Sequence, residues 1–361
     1  MNEFAPQERS STMQAAILED RAVIANRDVP VPAPGAGHVL LQIRAVSICG
    51  SDISRYVKGH CSYPMILGHE AAGVVAEVGA DVDTQLLGRH AALIPLIPCF
   101  TCQQCRLGYY SACHNYSFIG SRQAGGFAEY VDLPAKNLLL LPDAVSFEAG
   151  ALIEPATVAR HILELGHFQP GQTAVVFGGG SIGLMLVQWL RILGAGLIIC
   201  TDLINENLEV ARQLGAHATL NPREVDVAAE VQKLTGDGVD LALEAAGAPQ
   251  TLAQTIQVTR PRGAIVCAGN QPPDASLPMS FIENLMRKEL QLHGCFMSYS
   301  APFPGAEWTS SLAAVLDGSL DMGAMISHRF PLADAPRVFE RIADSSLVHR
   351  KIIFYPTETG Q

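Results

Sequence analysis

Residues 173–194 read TAVVFGGGSIGLMLVQWLRILG, a strand, a glycine turn and a helix in direct succession. TAVVF is short, apolar and β-branched, as a strand buried on both faces requires. The run that follows the glycines carries its apolar residues at helical spacing. Between them Gly178, Gly180 and Gly183 satisfy G-x-G-x-x-G, with Ile182 inside the motif. Gly178 permits the tight turn, Gly180 lets the backbone approach a pyrophosphate, and Gly183 allows the helix to pack closely on the strand. The helix N-terminus then offers free N–H groups and the positive end of its dipole to phosphate. Asp202 closes the next strand, LIICTD, where it would accept hydrogen bonds from adenosine ribose hydroxyls. Its charge would repel a 2′-phosphate, and residues 203–207 (LINEN) hold no Arg or Lys to receive one. NAD is therefore expected over NADP.

Outward from that turn, between about residues 171 and 296, strand and helix alternate. The strand-like TAVVF, LIICTD, ATLN, VDLALEAAG, GAIVCAG and ELQLHGCF are separated by helical runs such as NLEVARQLG, VDVAAEVQKL and FIENLMRK. Alternation of this kind predicts an α/β unit with a doubly wound parallel sheet. Upstream, between residues 13 and about 152, the pattern is different: HVLLQIRAV, AAGVVAEVG, HAALIPLIP, FAEYVDL and NLLLLP are short apolar stretches broken by Gly and Pro. They predict an all-β barrel or sandwich. The expected organisation is a loose tail over 1–12, a first domain over 13–158 completed by about 298–361, and a nucleotide-binding domain over 159–297.

Within the first domain, PCFTCQQCRLGYYSAC places Cys99, Cys102, Cys105 and Cys113 at C-x2-C-x2-C-x7-C. That spacing folds four thiolates onto one point, which suits a tetrahedral zinc with no open position. Such a site stiffens a loop and does no chemistry. An iron–sulfur cluster also uses x2 spacings, but nothing else in the chain suggests an electron-transfer partner. Cys61, Cys200, Cys267 and Cys295 stand apart and are read as small buried apolar residues.

At 361 residues the chain exceeds what one hydrophobic core usually fills, so two domains are the natural division. A hydrophobic share of 48% against 16% charged residues excludes a disordered chain. The net charge of −11 argues against nucleic acid as a partner. No apolar run reaches the roughly 18 residues of a membrane span. Nine cysteines without a secretory leader fit a reducing compartment, and the cytoplasm is the expected setting.

Further ligand-type residues lie upstream and downstream of the cysteine run: Cys49 in SICGSD, His69 and Glu70 in LGHEAAG, and Glu154 in IEPA. Taken in order with the four cysteines and the glycine turn, they resemble the zinc-dependent medium-chain dehydrogenases, in their polyol branch. The resemblance spans residues 13–356 and implies a GroES-like β-barrel carrying a catalytic zinc beside a Rossmann domain. Carried over position by position, it implies Cys49, His69 and Glu154 as ligands of a catalytic zinc, with Glu70 close by as an alternating ligand or base. It implies a second, structural zinc on the four cysteines, and NAD-dependent oxidation of a secondary alcohol. Ser51 matches the hydroxyl that passes the proton outward. Many relatives continue that relay with a histidine where this chain has Ser54. The stretches PLIPCFTCQQCRLGYYSAC, FIGSRQAGGFAEY and GCFMSYSAPFPGAEW resemble members acting on a sugar-alcohol phosphate. Met297 and Ser298 stand where sorbitol dehydrogenases usually carry Arg-Tyr. The implied reaction is galactitol 1-phosphate to tagatose 6-phosphate. Alternatives are a sorbitol-, threonine- or butanediol-type activity, or a non-catalytic NAD-binding protein. A phosphorylated substrate needs a cationic anchor, for which Arg55, Lys58 and Arg122 are the candidates. The family also implies a homodimer or homotetramer.

Overall fold

A computed structural model describes residues 10–59 and 61–357. Two compact units emerge: one runs to Ile153 and resumes at Ile326, and the other is Glu154–Met325.

In the second unit, strands Thr173–Phe177, Leu197–Thr201, Ala218–Leu220, Val239–Glu244, Thr259–Cys267 and Gln291–Gly294 form a six-stranded sheet among the described residues. Their spatial order is third, second, first, fourth, fifth, sixth, and every pairing is parallel. Ala174, Val175, Val176 and Phe177 are fully buried, because helices cover both faces of a doubly wound sheet. Local signals set the helix starts. Asp226 caps Val227–Thr235 by accepting from the Ala229 N–H at 3.1 Å. Pro249 opens Pro249–Val258, where its missing N–H costs nothing.

The first unit is mainly β. Its seven-stranded sheet runs Leu138–Leu140, His90–Leu93, Glu70–Val78, His38–Ser47, Lys351–Tyr355, Ile326–Pro331, with Tyr130–Pro134 also on His38–Ser47. A smaller sheet sets Thr12–Asp20 between Val23–Pro30 and Met65–Ile66. The core is aromatic at its centre. Phe127 meets Phe354 edge-on at 5.6 Å and Phe339 at 5.9 Å, and Tyr56 lies 5.3 Å from Phe339.

The units differ from the expected division at both crossings. The return to the first unit falls at Ile326, not near residue 298. Residues 298–325 are bound into the second unit by hydrogen bonds: the Ser298 and Thr157 hydroxyls lie 2.6 Å apart, and the Asp321 N–H donates to Gln188 Oε1 at 2.7 Å. Of the expected tail, residues 1–9 lie outside the described residues, and the first strand already begins at Thr12. Helices Gly50–Lys58 and Ala335–Ala343 also stand in a unit whose sequence pattern showed only strands.

Candidate active site and metal centres

Strand register assembles the first site. Strand His38–Ser47 pairs antiparallel with Glu70–Val78 so that Ser47 faces Glu70. On its other side Ser47 faces Ile353 of Lys351–Tyr355. Cys49, His69, Glu70 and Lys351 therefore come to one end of three neighbouring strands. The ligand atoms of Cys49, His69 and Glu70 all lie within 4.8 Å of one another. Cys49 precedes helix Gly50–Lys58, and its N–H donates to Asp52 Oδ2 at 3.0 Å.

Asp52 is fully buried and His69 is nearly so. The other Asp52 oxygen lies 3.6 Å from His69 Nδ1. Both of those atoms are buried without a hydrogen bond among the described residues. Burial opposes a charged imidazole, but Asp52 and Cys49 outweigh it and raise the His69 pKa well above its ordinary value. For Asp52 burial pulls upward, and the imidazole beside it, with the Cys49 N–H, holds the carboxyl below its usual range. With Nδ1 turned to a carboxylate, His69 presents Nε2, the arrangement that orients and strengthens a metal-binding histidine. The donor set fits zinc: a thiol, an oriented imidazole and a carboxylate.

Glu70 carries an ion pair that the sequence did not signal. Lys351 Nζ lies 2.5 Å and 2.6 Å from the two Glu70 oxygens, and both side chains are almost fully buried. The only trace in the sequence is a lysine opening the apolar strand KIIFY. Asp52 was equally silent as an orienting group, although it stands three residues after Cys49.

The four-cysteine loop is closed. Sγ separations are 3.5 Å for Cys99–Cys113 and 4.0 Å for both Cys99–Cys105 and Cys102–Cys113. A tetrahedron with metal–sulfur bonds of about 2.3 Å has edges of about 3.8 Å. The N–H of Cys99 points to Cys113 Sγ at 3.3 Å and that of Cys102 to Cys99 Sγ at 3.4 Å, as anionic sulfur prefers. Hydrogen bonds from Thr101, backbone first, pull Cys99 down to about 5. Burial, followed by the neighbouring sulfurs, pushes Cys105 up to about 12. Four thiolates at this spacing need a cation between them, and the geometry fits zinc.

The glycine turn has the shape its motif requires. Gly178 has φ +97°, and a Cβ there would stand 2.9 Å from Ala246 Cα. A Cβ at Gly183 would be 1.7 Å from the Gly178 carbonyl oxygen. Gly180 opens helix Ser181–Ile192, and a Cβ on it would meet nothing within 4 Å. That space is the cradle a pyrophosphate would fill. Gly180→Ala is therefore expected to leave the melting temperature within about 1 °C, yet to weaken NADH binding by at least about tenfold in fluorescence titration. Unchanged affinity would remove Gly180 from the cofactor site. Asp202 is already engaged: Oδ2 accepts from the Gly179 N–H at 2.6 Å and Oδ1 from the Ile204 N–H at 2.8 Å. A carboxylate has about four acceptor positions, so two remain for ribose hydroxyls.

The other expected site residues are placed as follows. Ser51 accepts from Arg55 Nη1 at 2.9 Å, one helical turn away. Arg122 donates to the Tyr116 carbonyl at 2.8 Å and lies over the Tyr116 ring at 3.8 Å. Lys58, at the helix end, is exposed. Glu154 is the first residue of the second unit, is 9% exposed, and its carbonyl accepts from Thr157 Oγ1 at 2.6 Å. It is not part of the Cys49, His69 and Glu70 grouping. Cys61, Cys200, Cys267 and Cys295 join no metal-type grouping among the described residues. One further grouping, His161, Glu164 and Glu307, lies in the second unit. It is closed internally by the 2.7 Å His161–Glu307 bond and by Ser300 Oγ donating to Glu307 at 2.6 Å. No helix among the described residues is long and apolar enough to cross a membrane.

Residues 35–143 match the family described as alcohol dehydrogenase GroES-like domain, and residues 181–312 match the zinc-binding dehydrogenase family. The chain belongs to the zinc-dependent medium-chain dehydrogenases, and is an oxidoreductase of their polyol and alcohol dehydrogenase group. It is 37% identical to galactitol 1-phosphate 5-dehydrogenase of Escherichia coli (strain K12) over 81% of this chain and 85% of that protein. It is 33% identical to sorbitol dehydrogenase of Bacillus subtilis (strain 168) over 95% and 97%. Among solved structures, galactitol-1-phosphate dehydrogenase from Escherichia coli superposes with TM-score 0.91 at 33% identity, covering 95% of this chain and all of that one. A zinc-binding dehydrogenase from Sinorhizobium meliloti 1021, bound to NADP, gives TM-score 0.89 at 31% identity over 96% and 100%.

Proposed function

We propose that this chain oxidises galactitol 1-phosphate to tagatose 6-phosphate with NAD. In the overall balance the alcohol carbon loses a hydride to the nicotinamide and the hydroxyl loses a proton, giving ketone, NADH and H⁺. The observation that carries the chemistry is the grouping of half-buried Cys49 with buried His69, backed by Asp52, in a chain that also builds the Gly178–Gly180–Gly183 cradle.

Cys49, His69 and Glu154 would hold the catalytic metal, and Cys99, Cys102, Cys105 and Cys113 the structural one. Zinc at the first site supplies a Lewis acid that makes a coordinated hydroxyl acidic near neutral pH. The residues around it do the rest. Asp52 fixes the His69 ring. Lys351 neutralises Glu70, which keeps a second carboxylate charge from building up beside the ligands. Ser51 relays the substrate proton, releasing its own hydroxyl proton as it accepts the substrate's, and Arg55 Nη1, which donates to its oxygen at 2.9 Å, holds that oxygen in place. With Glu70 ion-paired and Ser54 in place of a histidine, the proton passes from Ser51 to water. Asp202 selects NAD by refusing a 2′-phosphate. Arg55 and Arg122 are committed to Ser51 and Tyr116, which leaves Lys58 as the phosphate anchor among the three cations considered.

An exposed apolar edge of the second unit supports assembly into a homo-oligomer. Gln291–Gly294 is an edge strand, and Met279, Ile282 and Met286 on the adjacent helix are exposed together with Leu292 and Phe296. An apolar sheet edge of this kind is covered most simply by the same edge of a second copy across a two-fold axis.

NADH formation from galactitol 1-phosphate, compared with galactitol, sorbitol and xylitol at equal concentration, tests the substrate. The expected result is a kcat/KM at least about tenfold higher for the phosphorylated polyol, since a charge-assisted phosphate contact contributes about 1.4 kcal/mol or more. An unphosphorylated polyol as the best substrate would replace this assignment with the sorbitol-type activity, which the 33% identity over 95% of the chain supports.

A further inference from the structure

Glu244 ends the fourth strand of the parallel sheet and is fully buried. Its Oε1 accepts from the N–H groups of Ala246 at 3.0 Å and Gly247 at 2.9 Å, and lies 2.8 Å from Thr251 Oγ1. The Thr251 hydroxyl also reaches the Ala248 carbonyl at 2.7 Å, so its one proton serves one of the two acceptors. Oε2 accepts from Gln271 Nε2 at 2.9 Å. None of these partners is a cation. Through its own carbonyl, Glu244 also holds the N–H groups of Ala268 at 2.9 Å and Gly269 at 3.0 Å.

One residue thus ties the loop after the fourth strand to the loop after the fifth. The packing leaves little play. A Cβ on Gly269 would stand 2.2 Å from the Gly247 nitrogen and 2.7 Å from Glu244 Oε2, and the Gly178 turn is pressed against Ala246. Three loops at the carboxyl edge of the sheet, where open α/β sheets bind their ligands, are therefore built around a buried anion. Strand order says which half of a dinucleotide lies there. Asp202, directly after the second strand, would serve the adenosine side, and the fourth and fifth strands lie on the opposite side of the first. The Glu244 loops consequently face the nicotinamide half.

Positioning alone does not call for a charge. A glutamine or asparagine could receive the same N–H groups without the desolvation cost of a buried carboxylate. A negative charge becomes useful where the ligand itself is cationic, and the nicotinamide ring is cationic when oxidised and neutral when reduced. We propose that Glu244 is a positioning residue for the nicotinamide half of the cofactor, and that its charge favours binding of the oxidised form over the reduced form. This rests on the dinucleotide site described above and is independent of which alcohol is the substrate.

The test is Glu244→Gln, with Kd for NAD+ measured by calorimetry and Kd for NADH by fluorescence on the zinc-loaded protein. The variant should fold. The Gln271 amide can turn over, so that its Oε1, a buried acceptor with no partner among the described residues, receives the new NH₂ group. NAD+ is expected to bind about tenfold more weakly, the scale of one charge acting over roughly 10 Å at an effective dielectric near 20, while NADH changes less than about threefold. An NADH affinity that falls as much as that of NAD+, or no change in either, overturns the proposal. Glu244→Asp keeps the charge but withdraws it by one methylene. It should weaken both cofactors several-fold with their ratio kept, and wild-type affinities in that variant would equally overturn the assignment, even if Glu244→Gln is recovered only as aggregate. Failure of the unmodified protein to bind either cofactor would instead sink the dinucleotide site itself.

Discussion

Replacing His69 with alanine is expected to take the chain from two zinc ions to one and to lower kcat/KM by more than about 10³-fold. Lewis-acid stabilisation is worth several kcal/mol, and each 1.36 kcal/mol is a factor of ten in rate. The loss should be chemical and local. His69 makes no hydrogen bond that the strands depend on, and the sheet registers on either side of His38–Ser47 are set by backbone pairing. Circular dichroism should therefore change little, while the melting temperature falls because buried Asp52 loses its charge partner, and metal analysis shows the remaining ion on the four cysteines. A His69→Ala protein that keeps two zincs, or more than a tenth of its activity, would remove His69 from the catalytic centre. Asn in place of Asp52 offers a graded companion. It keeps the size but removes the charge that orients the imidazole, and losses of about 10- to 100-fold are usual for such partners.

Replacing Cys113 with serine should act on stability. Cys113 is buried, its sulfur lies 3.5 Å and 4.0 Å from those of Cys99 and Cys102, and it receives the Cys99 N–H. Without the fourth sulfur the remaining three thiolates lose their cation and repel one another. Zinc binding at structural sites is folding free energy. Even if most of the loop energy is recovered in solvent, a net loss of about 3 kcal/mol would lower the melting temperature by roughly 5–10 °C. The catalytic zinc should stay, so metal content again falls to one per chain, but with activity at low temperature largely retained. The two single-zinc proteins would thus differ in activity, one inactive and the other active at low temperature. A Cys113→Ser chain that binds two zincs and melts normally would refute the four-thiolate site.

Much of this was legible before any coordinates. The glycine turn, the strand before it and the helix after it are contiguous, so a local pattern sufficed to read them, and the parallel sheet followed from the alternation. The four cysteines lie within 15 residues, and their convergence is a property of one loop. The division of the chain was read less well. Residues 298–325 carry no strong pattern, and their place is set by Ser298 on Thr157 and Asp321 on Gln188, pairs that meet only after folding.

Sequence alone determined the chemistry available to this protein: thiolates, an imidazole and carboxylates in the order of a zinc dehydrogenase, and a backbone that a pyrophosphate can approach. Tertiary structure decided which of those groups are free to act. Lys351 reaches Glu70 across 281 positions because Ser47 happens to face both Glu70 and Ile353, and Glu244 is enclosed by loops from two different strands. Charge pairing and burial depend on distances through space, and a linear chain records those only where the residues involved are neighbours.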